Sequence, residues 1–140
     1  MNKHFVHLHL HTEFSLLDGA IKIDQLPALI KSKGMDSVAI TDHGSMYGVV
    51  DFYKACLKEG VKPIIGCEVY VADDRLSRNS EERRYHLILL AENQTGYRNL
   101  VKIVSRGYTE GFYYKPRIDM EVLREFHEGI ICTSACMAGE

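Results

Sequence analysis

Histidines and carboxylates recur along this sequence at spacings that suit metal binding. His9 and His11 are separated by a single residue near the amino terminus, and His7 lies two residues before them. On an extended strand these three side chains lie on one face, because successive residues point to opposite faces. Each imidazole on such a face needs a partner for at least one ring nitrogen, and a metal ion is one such partner. Hydrogen-bonded histidines of a core or surface are the alternative explanation.

Further ligand-type side chains lie at the ends of the segments that read as strands: Asp18, Asp42, His43, Glu68, His86 and Cys136. Residues that leave the carboxyl ends of parallel strands converge on one face of a β/α fold. His86 begins its strand, so it reaches that face only if the third and fourth strands form an antiparallel hairpin. Imidazole, carboxylate and thiolate suit zinc, and the carboxylates also admit manganese or iron. A cluster of such ions is suited to phosphoester hydrolysis.

Apolar runs alternate with amphipathic stretches from one end of the chain to the other. This pattern predicts an α/β fold with a mostly parallel sheet or a β/α barrel. Strands are predicted at 5–11, 37–41, 63–71, 85–91 and 129–133, and helices at about 25–33, 45–60, 96–105 and 119–126. Asp24, Ser45 and Asp119 are the predicted N-caps. The polar segment 73–84 is predicted to be a solvated loop.

Composition limits the classes of protein to which the chain can belong. The 140 residues are 46% hydrophobic, which is enough for one domain, or part of one, with a core of its own. The formal net charge of −2 excludes a sequence-wide positive field that would attract nucleic acid. No apolar run is long enough for a transmembrane helix or a secretory signal, so we expect a cytoplasmic protein without a membrane partner. The four cysteines lack a CxxC pair and are expected to be free thiols or metal ligands.

Six segments together resemble a known family: HLHTEFSLLDGA (9–20), AITDHGSMYG (39–48), IIGCEVYV (64–71), HLILLAENQTGYRNLVKI (86–103), GFYYKPRID (111–119) and ICTSACMAGE (131–140). The chain resembles the PHP (polymerase and histidinol phosphatase) domain, in the branch that opens the alpha subunit of bacterial DNA polymerase III. The GYRNL and YYKPRID segments are typical of that branch, and the resemblance covers the entire chain. It implies that residues 1–140 form the N-terminal portion of a distorted, TIM-like barrel of about seven β/α units.

The resemblance also implies a set of metal ligands: His9, His11, Asp18, His43, Glu68, His86 and Cys136. In the family such residues hold up to three divalent ions, zinc or manganese. The last two family ligands, an Asp-x-His pair, would fall beyond Glu140. Asp42 and His7 are expected to support the ligands without binding metal. Lys115 and Arg117 are candidates for holding phosphate, with exposed loop charge as the alternative.

The function implied by the resemblance is that of the N-terminal region of a DNA-directed DNA polymerase whose complete PHP domain acts as a 3′–5′ proofreading exonuclease. DNA and the other subunits of a replicative polymerase are the implied partners. A metal-stapled structural domain that supports the polymerase or docks a proofreading subunit is the alternative, and a stand-alone phosphatase is a third. Without the remaining strands, we expect fewer bound ions, little activity and self-association through an open sheet edge.

Several other residues are better explained by packing or exposure than by chemistry. Cys56, Cys67 and Cys132 lie in apolar stretches and are expected to be packed thiols. His4 and His127 are expected at the surface. Four tyrosines could stack on bases, although packing is the favoured interpretation: Tyr97, Tyr108, Tyr113 and Tyr114.

Overall fold

The computed structural model describes residues 5–139, and within them it has four helices and six strands. The helices are α1 (Leu26–Ser32), α2 (Val49–Glu59), α3 (Gln94–Thr109) and α4 (Met120–Phe126). The strands are β1 (Ser37–Ile40), β2 (Lys62–Val71), β3 (Tyr85–Ala91), β4 (Phe112–Tyr113), β5 (Lys115–Ile118) and β6 (Ile130–Thr133). The predicted α/β class is confirmed. His4 lies outside the described residues.

The sheet is mixed, so of the two predicted architectures, a mostly parallel sheet or a β/α barrel, the mostly parallel sheet is wrong. β2 pairs in parallel with β1 and β5, and it pairs antiparallel with β3. β6 adds antiparallel to β3, and β4 pairs antiparallel with β5. A parallel connection usually needs a crossover helix. The segment between β2 and β3 contains no helix among the described residues, and the chain therefore returns antiparallel as a hairpin.

Residues 5–11 run beside β1 but do not form the predicted strand. Ala39 N–H donates to the carbonyl of His7, and Thr41 N–H donates to the carbonyl of Leu10. The first segment therefore advances three residues while β1 advances two. One extra residue in a strand acts as a bulge, which interrupts regular pairing and redirects the side chains. Leu8 is consequently 44% exposed instead of lying on a buried face.

The helices pack against the sheet through two apolar clusters. In α2 the buried residues Val49, Phe52 and Cys56 follow helical spacing and pack with residues of α1 and β1. Leu100 and Ile103 of α3 pack in a second cluster with residues of β2, β3 and α4. These clusters fix the strands whose ends carry the ligand-type residues.

The helix termini follow the predictions in part. Asp119 caps α4, since its side chain accepts a hydrogen bond from Val122 N–H. The predicted caps Asp24 and Ser45 are wrong, because α1 begins after Gln25 and α2 begins after Gly48, with no side-chain cap at either helix. Both helices therefore begin later than their predicted caps imply, α1 at Leu26 and α2 at Val49.

Segment 73–84 is the mostly exposed loop that the sequence predicts, except at Arg75, where it is anchored to the fold. Arg75 is 7% exposed, and its guanidinium donates to carboxylates of Glu110, Asp119 and Glu121. A buried guanidinium needs such partners, because an unpaired charge is costly to remove from water. The ion pairs of Arg75 therefore tie an otherwise exposed polar loop to the fold.

The cysteines divide into two groups. Cys56 and Cys67 are buried as predicted, and burial raises the pKa of the Cys56 thiol to about 11. Cys132 is exposed, so its predicted packing is wrong. Among the described residues β6 pairs only with β3, which leaves one side of β6 uncovered.

Two further expectations concern the surface and membranes. His127 is exposed as expected. Among the helices that the structure describes, none has the length and apolar character needed to span a membrane.

Candidate metal centre

The carboxylate of Glu68 lies at the centre of a group of histidines. Glu68 is 1% exposed on β2, and its Oε2 lies 2.6 Å from Nε2 of His9 and 2.6 Å from Nε2 of His11. Its Oε1 lies 2.6 Å from Nδ1 of His86. Burial alone raises the pKa of Glu68, but hydrogen bonds from His11 and His9 and the nearby His43 outweigh burial and hold the pKa at about 2. Glu68 is therefore an anion at every physiological pH, which is the state that binds a cation.

The two histidines of the HxH pair share one oxygen of Glu68. Their Nε2 atoms lie 3.1 Å apart. The hydrogen bond to Glu68 raises the pKa of His11, while partial burial acts in the opposite direction. Two imidazole nitrogens and a carboxylate oxygen thus face one another across a space of metal-site dimensions.

His43 and Asp18 extend this group to one side. Nε2 of His43 lies 3.0 Å from Oδ2 of Asp18, and the His43 ring centroid lies 3.9 Å from that of His11. Nδ1 of His43 is buried and has no hydrogen-bond partner among the described residues. It lies 3.8 Å from Oε1 of Glu68. A buried polar atom without a partner is rare, and a cation near Glu68 would provide one.

Three overlapping groups of donors result: His9 with His11 and Glu68, His11 with Asp18 and His43, and His43 with Glu68 and His86. Within each group the donor atoms all lie within 4.8 Å of one another. Imidazole nitrogen and carboxylate oxygen are ligands that zinc and manganese accept. The residues present therefore fit a cluster of divalent cations, with His11, His43 and Glu68 shared between neighbouring groups.

Six of the seven predicted ligands belong to these groups, and Cys136 lies beside them. Sγ of Cys136 is 3.7 Å from Nδ1 of His86. The loop that carries Cys136 contacts the start of β3, because His86 N–H donates to the carbonyl of Ala138. The thiol is exposed and lies outside the three donor groups.

Asp42 lies behind the ligands and fixes the loop that carries Asp18. Its buried carboxylate accepts hydrogen bonds from the N–H and Oγ1 of Thr12 and from Oγ of Ser15. Ser15 Oγ in turn accepts a hydrogen bond from the N–H of His43. These bonds tie the loop after the HxH pair to the end of β1. Among the described residues the His7 ring packs against the ring of Phe5, and no hydrogen bond links it to the donor cluster, contrary to its expected supporting role.

Tyr70 belongs to the centre although sequence reasoning missed it. Its ring is stacked with that of His43 at 6.2 Å and meets the ring of His86 edge-on at 5.1 Å. The available signal was its spacing, because Tyr70 lies two residues after Glu68 on the same face of a strand. Tyr70 thereby limits how the two histidine rings can rotate.

The two basic candidates for phosphate binding occupy different positions. Lys115 lines the cleft beside Asp18 and His43, with Nζ 5.3 Å from the Tyr70 ring centroid. Arg117 is 1% exposed and lies away from that cleft. Its guanidinium donates to the carbonyls of Gly111 and Arg75 and to Glu82. Arg117 is therefore part of the support for segment 73–84.

An α/β fold that carries a cluster of histidine and carboxylate donors is typical of metal-dependent enzymes. Comparison with known families identifies the family. The PHP domain family model matches residues 7–140, and the chain belongs to the PHP domain family. The match therefore covers nearly the whole length of the chain.

Several curated relatives resemble the chain over nearly its whole length. DNA polymerase III subunit alpha of Helicobacter pylori (strain J99) is 57% identical over 140 residues, which cover 99% of this chain and 12% of the relative. The same subunit of Treponema pallidum is 52% identical over 97% of this chain, and that of Aquifex aeolicus is 50% identical over 99%. The chain spans about 12% of the length of these relatives.

A solved structure supports the fold. A protein from Bifidobacterium adolescentis assigned as a metal-dependent phosphoesterase aligns with a TM-score of 0.52 and 21% identity, covering 72% of this chain and 33% of that chain. At this identity the alignment concerns the fold alone.

Proposed function

We propose that this chain is the N-terminal PHP region of a DNA polymerase III alpha subunit and that its metal centre hydrolyses phosphate esters. One observation carries the proposal: four histidines converge on the buried carboxylate of Glu68 in overlapping donor groups. Clustered divalent ions are the usual means of in-line attack on a phosphate ester. The relatives named DNA polymerase III subunit alpha support DNA as the substrate.

We assign the metal ligands as His9, His11, Asp18, His43, Glu68, His86 and Cys136. Zinc and manganese both suit this mixture of nitrogen, oxygen and sulfur donors. When bound, such ions polarise a phosphoryl oxygen and activate water at neutral pH.

The chain positions the ligands and offers a charge for the substrate. Asp42 holds Thr12 and Ser15, and so keeps Asp18 within reach of His43. Tyr70 packs against His43 and His86 and restricts their rings. Lys115 places an ammonium group in the adjacent cleft, where it would neutralise part of the charge of a phosphate.

The finer proposal is a 3′–5′ exonuclease that works with DNA and the other subunits of a replicative polymerase. The test uses the longest natural protein that contains this chain, a 3′-labelled single-stranded oligonucleotide, and the variant His43→Ala beside the control His127→Ala. We expect His43→Ala to lose about 100-fold or more of the metal-dependent trimming. Equal trimming by both variants would contradict the proposal.

A second candidate is a metal centre that stabilises the fold without catalysis. It is favoured by the fact that the donors come from four separate segments, those of His9, His43, Glu68 and His86, which a bound ion would cross-link. On this account the natural protein shows no trimming, whereas chelation lowers its melting temperature. Thermal unfolding with and without chelator, measured beside trimming, separates the two candidates.

A further inference from the structure

A cleft of about 340 Å³ opens directly beside Asp18 and His43. The loop of residues 14–18 forms one wall, and Tyr70 with Lys115 and Pro116 forms another. Tyr47 and Tyr108 also line it. The cleft is therefore continuous with the metal centre on one side and has apolar and aromatic walls on the others.

Two leucines that line this cleft are exposed to solvent. Leu16 is 88% exposed and Leu17 is 92% exposed, although both lie between anchored residues. Ser15 is held by Asp42 and His43, and Asp18 lies 3.0 Å from His43. A ligand that covers these side chains would remove apolar surface from water, which is favourable in proportion to the area covered.

The loop has little freedom to fold the leucines away. Gly19 N–H donates to the carbonyl of Ser15 at 2.8 Å, and Ser15 N–H donates to the carbonyl of Thr12. A Cβ atom at Gly19 would lie 1.8 Å from the Thr12 oxygen, so the two backbones are in close contact. The leucines are thus presented by a fixed turn.

Aromatic side chains face the same cleft. Tyr47 is 67% exposed, and its ring centroid lies 6.3 Å from that of Tyr108. Tyr108 is 36% exposed and stacks with Phe112 at 6.1 Å, which supports its ring from behind. Exposed aromatic faces are what single-stranded nucleic acid binders offer to bases, and such stacking tolerates any base because every base has a π-face.

A positive charge lines the same cleft as these rings and lies near the donor cluster. Nζ of Lys115 lies 5.3 Å from the Tyr70 ring centroid, and Tyr70 is stacked with His43. A phosphate ester lying in the cleft would meet this ammonium group next to the metal ligands. An ammonium group, aromatic surface and two residues of the donor cluster therefore all line one cleft, as a nucleotide with its phosphate and base requires.

We infer that the cleft is a nucleotide subsite in which Leu16, Leu17, Tyr47 and Tyr108 contact the base and Lys115 contacts the phosphate. The inference rests on the proposed function and adds to it the residues that select a phosphate ester carrying a base. Selection depends on contact with a flat ring, so it does not depend on which base is present.

The test compares two ligands that differ only by the base: deoxyadenosine 5′-phosphate and 2-deoxyribose 5-phosphate. Their affinities for the full chain are measured by isothermal titration calorimetry, with zinc and again with EDTA. We expect the nucleotide to bind at least about fivefold more tightly. Tyr47→Ala combined with Tyr108→Ala abolishes this preference, whereas Tyr53→Ala, at an exposed tyrosine of α2 outside the cleft, keeps it.

Leu16→Ala with Leu17→Ala is a second variant at exposed positions, and it also lowers the preference. Lys115→Met lowers the affinity for both ligands to the same extent, while the surface variant Lys54→Met changes neither affinity. Equal affinity of the unaltered chain for the two ligands would overturn the inference, as would a preference that survives loss of both tyrosines. If the preference persists when zinc has no effect on either affinity, the proposed metal function fails while the nucleotide subsite stands. If zinc raises the affinity for both ligands equally and the chain does not prefer the nucleotide, the nucleotide subsite fails while the proposed metal function stands.

Discussion

Oε1 of Glu68 on β2 lies 2.6 Å from Nδ1 of His86 on β3, although the two residues are 18 positions apart in the chain. The antiparallel register produces this contact, since it places Tyr70 opposite His86 and Ile88 opposite Glu68. A β/α crossover after β2 would instead have placed the start of the next strand at the opposite end of the sheet. The cluster of donors around Glu68 thus depends on the hairpin of β2 and β3.

Substitution of the shared carboxylate should weaken metal binding strongly. Glu68 contacts three histidines, and Glu68→Gln removes its charge while keeping its size. We expect zinc affinity to fall at least about tenfold, because the central anionic ligand is lost. Competition with a chromophoric chelator measures this affinity. Glu92→Gln is the matched control at an exposed carboxylate, and an equal affinity in both variants would refute the central position of Glu68.

Asp42 should contribute to stability even without metal. Its carboxylate accepts three hydrogen bonds from Thr12 and Ser15 in a buried setting. Asp42→Ala leaves these donors unpaired, and we expect a loss of about 3 kcal/mol or more in the free energy of unfolding. Urea denaturation of chelator-treated protein measures the loss. Asp73→Ala, at an exposed carboxylate, should change stability by less than about 0.5 kcal/mol, and similar losses in both variants would contradict this role.

Gly19 should tolerate no side chain. The Cβ atom of Gly19→Ala would lie 1.8 Å from the carbonyl oxygen of Thr12, so the loop carrying Asp18 must move. We expect a lower zinc affinity and a loss of about 2 kcal/mol in stability. Gly34→Ala is the comparison, since its Cβ meets nothing within 4 Å and its φ of +74° costs about 1 kcal/mol. Unchanged zinc affinity in Gly19→Ala would show that the turn does not position Asp18.

The ion pair between Arg75 and Asp119 should give stability that depends on pH. Burial by itself raises the pKa of Asp119, but hydrogen bonds from Arg75 and from Val122 N–H outweigh it and lower the pKa below the ordinary value of 3.8. Because the folded pKa is the lower one, this contribution is present above about pH 4 and is lost as pH falls through the folded pKa.

Asp119→Asn isolates this contribution, because asparagine is also a good N-cap for α4. We expect the difference in unfolding free energy between the unaltered chain and the variant to be constant near neutral pH and to shrink below about pH 4. Denaturation curves between pH 7 and pH 2.5 measure it. If the difference in unfolding free energy instead grew as the pH fell, the pKa of Asp119 would be raised by folding and not lowered.

Much of the centre could be predicted from the sequence because ligand spacing follows strand geometry. The positions of Glu68 and His43 follow from the strands that they end or occupy, and the hairpin needed for His86 is confirmed. The course of residues 5–11 could not be predicted, because the extra residue in their pairing with β1 leaves no mark on the alternation of Val6, Leu8 and Leu10. Local patterns do not record how two distant segments pair.

The burial of the Arg75 and Arg117 guanidinium groups could not be predicted from the sequence for a related reason. The sequence of segment 73–84 is polar whether its charges meet water or one another, so the pairing of Arg75 with Asp119 depends on contacts 44 residues apart. The same holds for Arg117, whose partners are carbonyls that only the folded chain brings together. Tyr70 is the exception, since its place beside Glu68 on one strand was available from spacing alone.

The central claim is that the donors around Glu68 hold divalent metal, and the metal content of the purified chain tests it most directly. The chain is purified without chelator or nickel resin, and zinc, manganese and iron are counted per protein by elemental mass spectrometry. We predict a ratio of about one or more, falling several-fold in the combined variant His9→Ala and His43→Ala. A ratio near zero in a chain whose circular dichroism and NMR spectra show it folded would contradict the account.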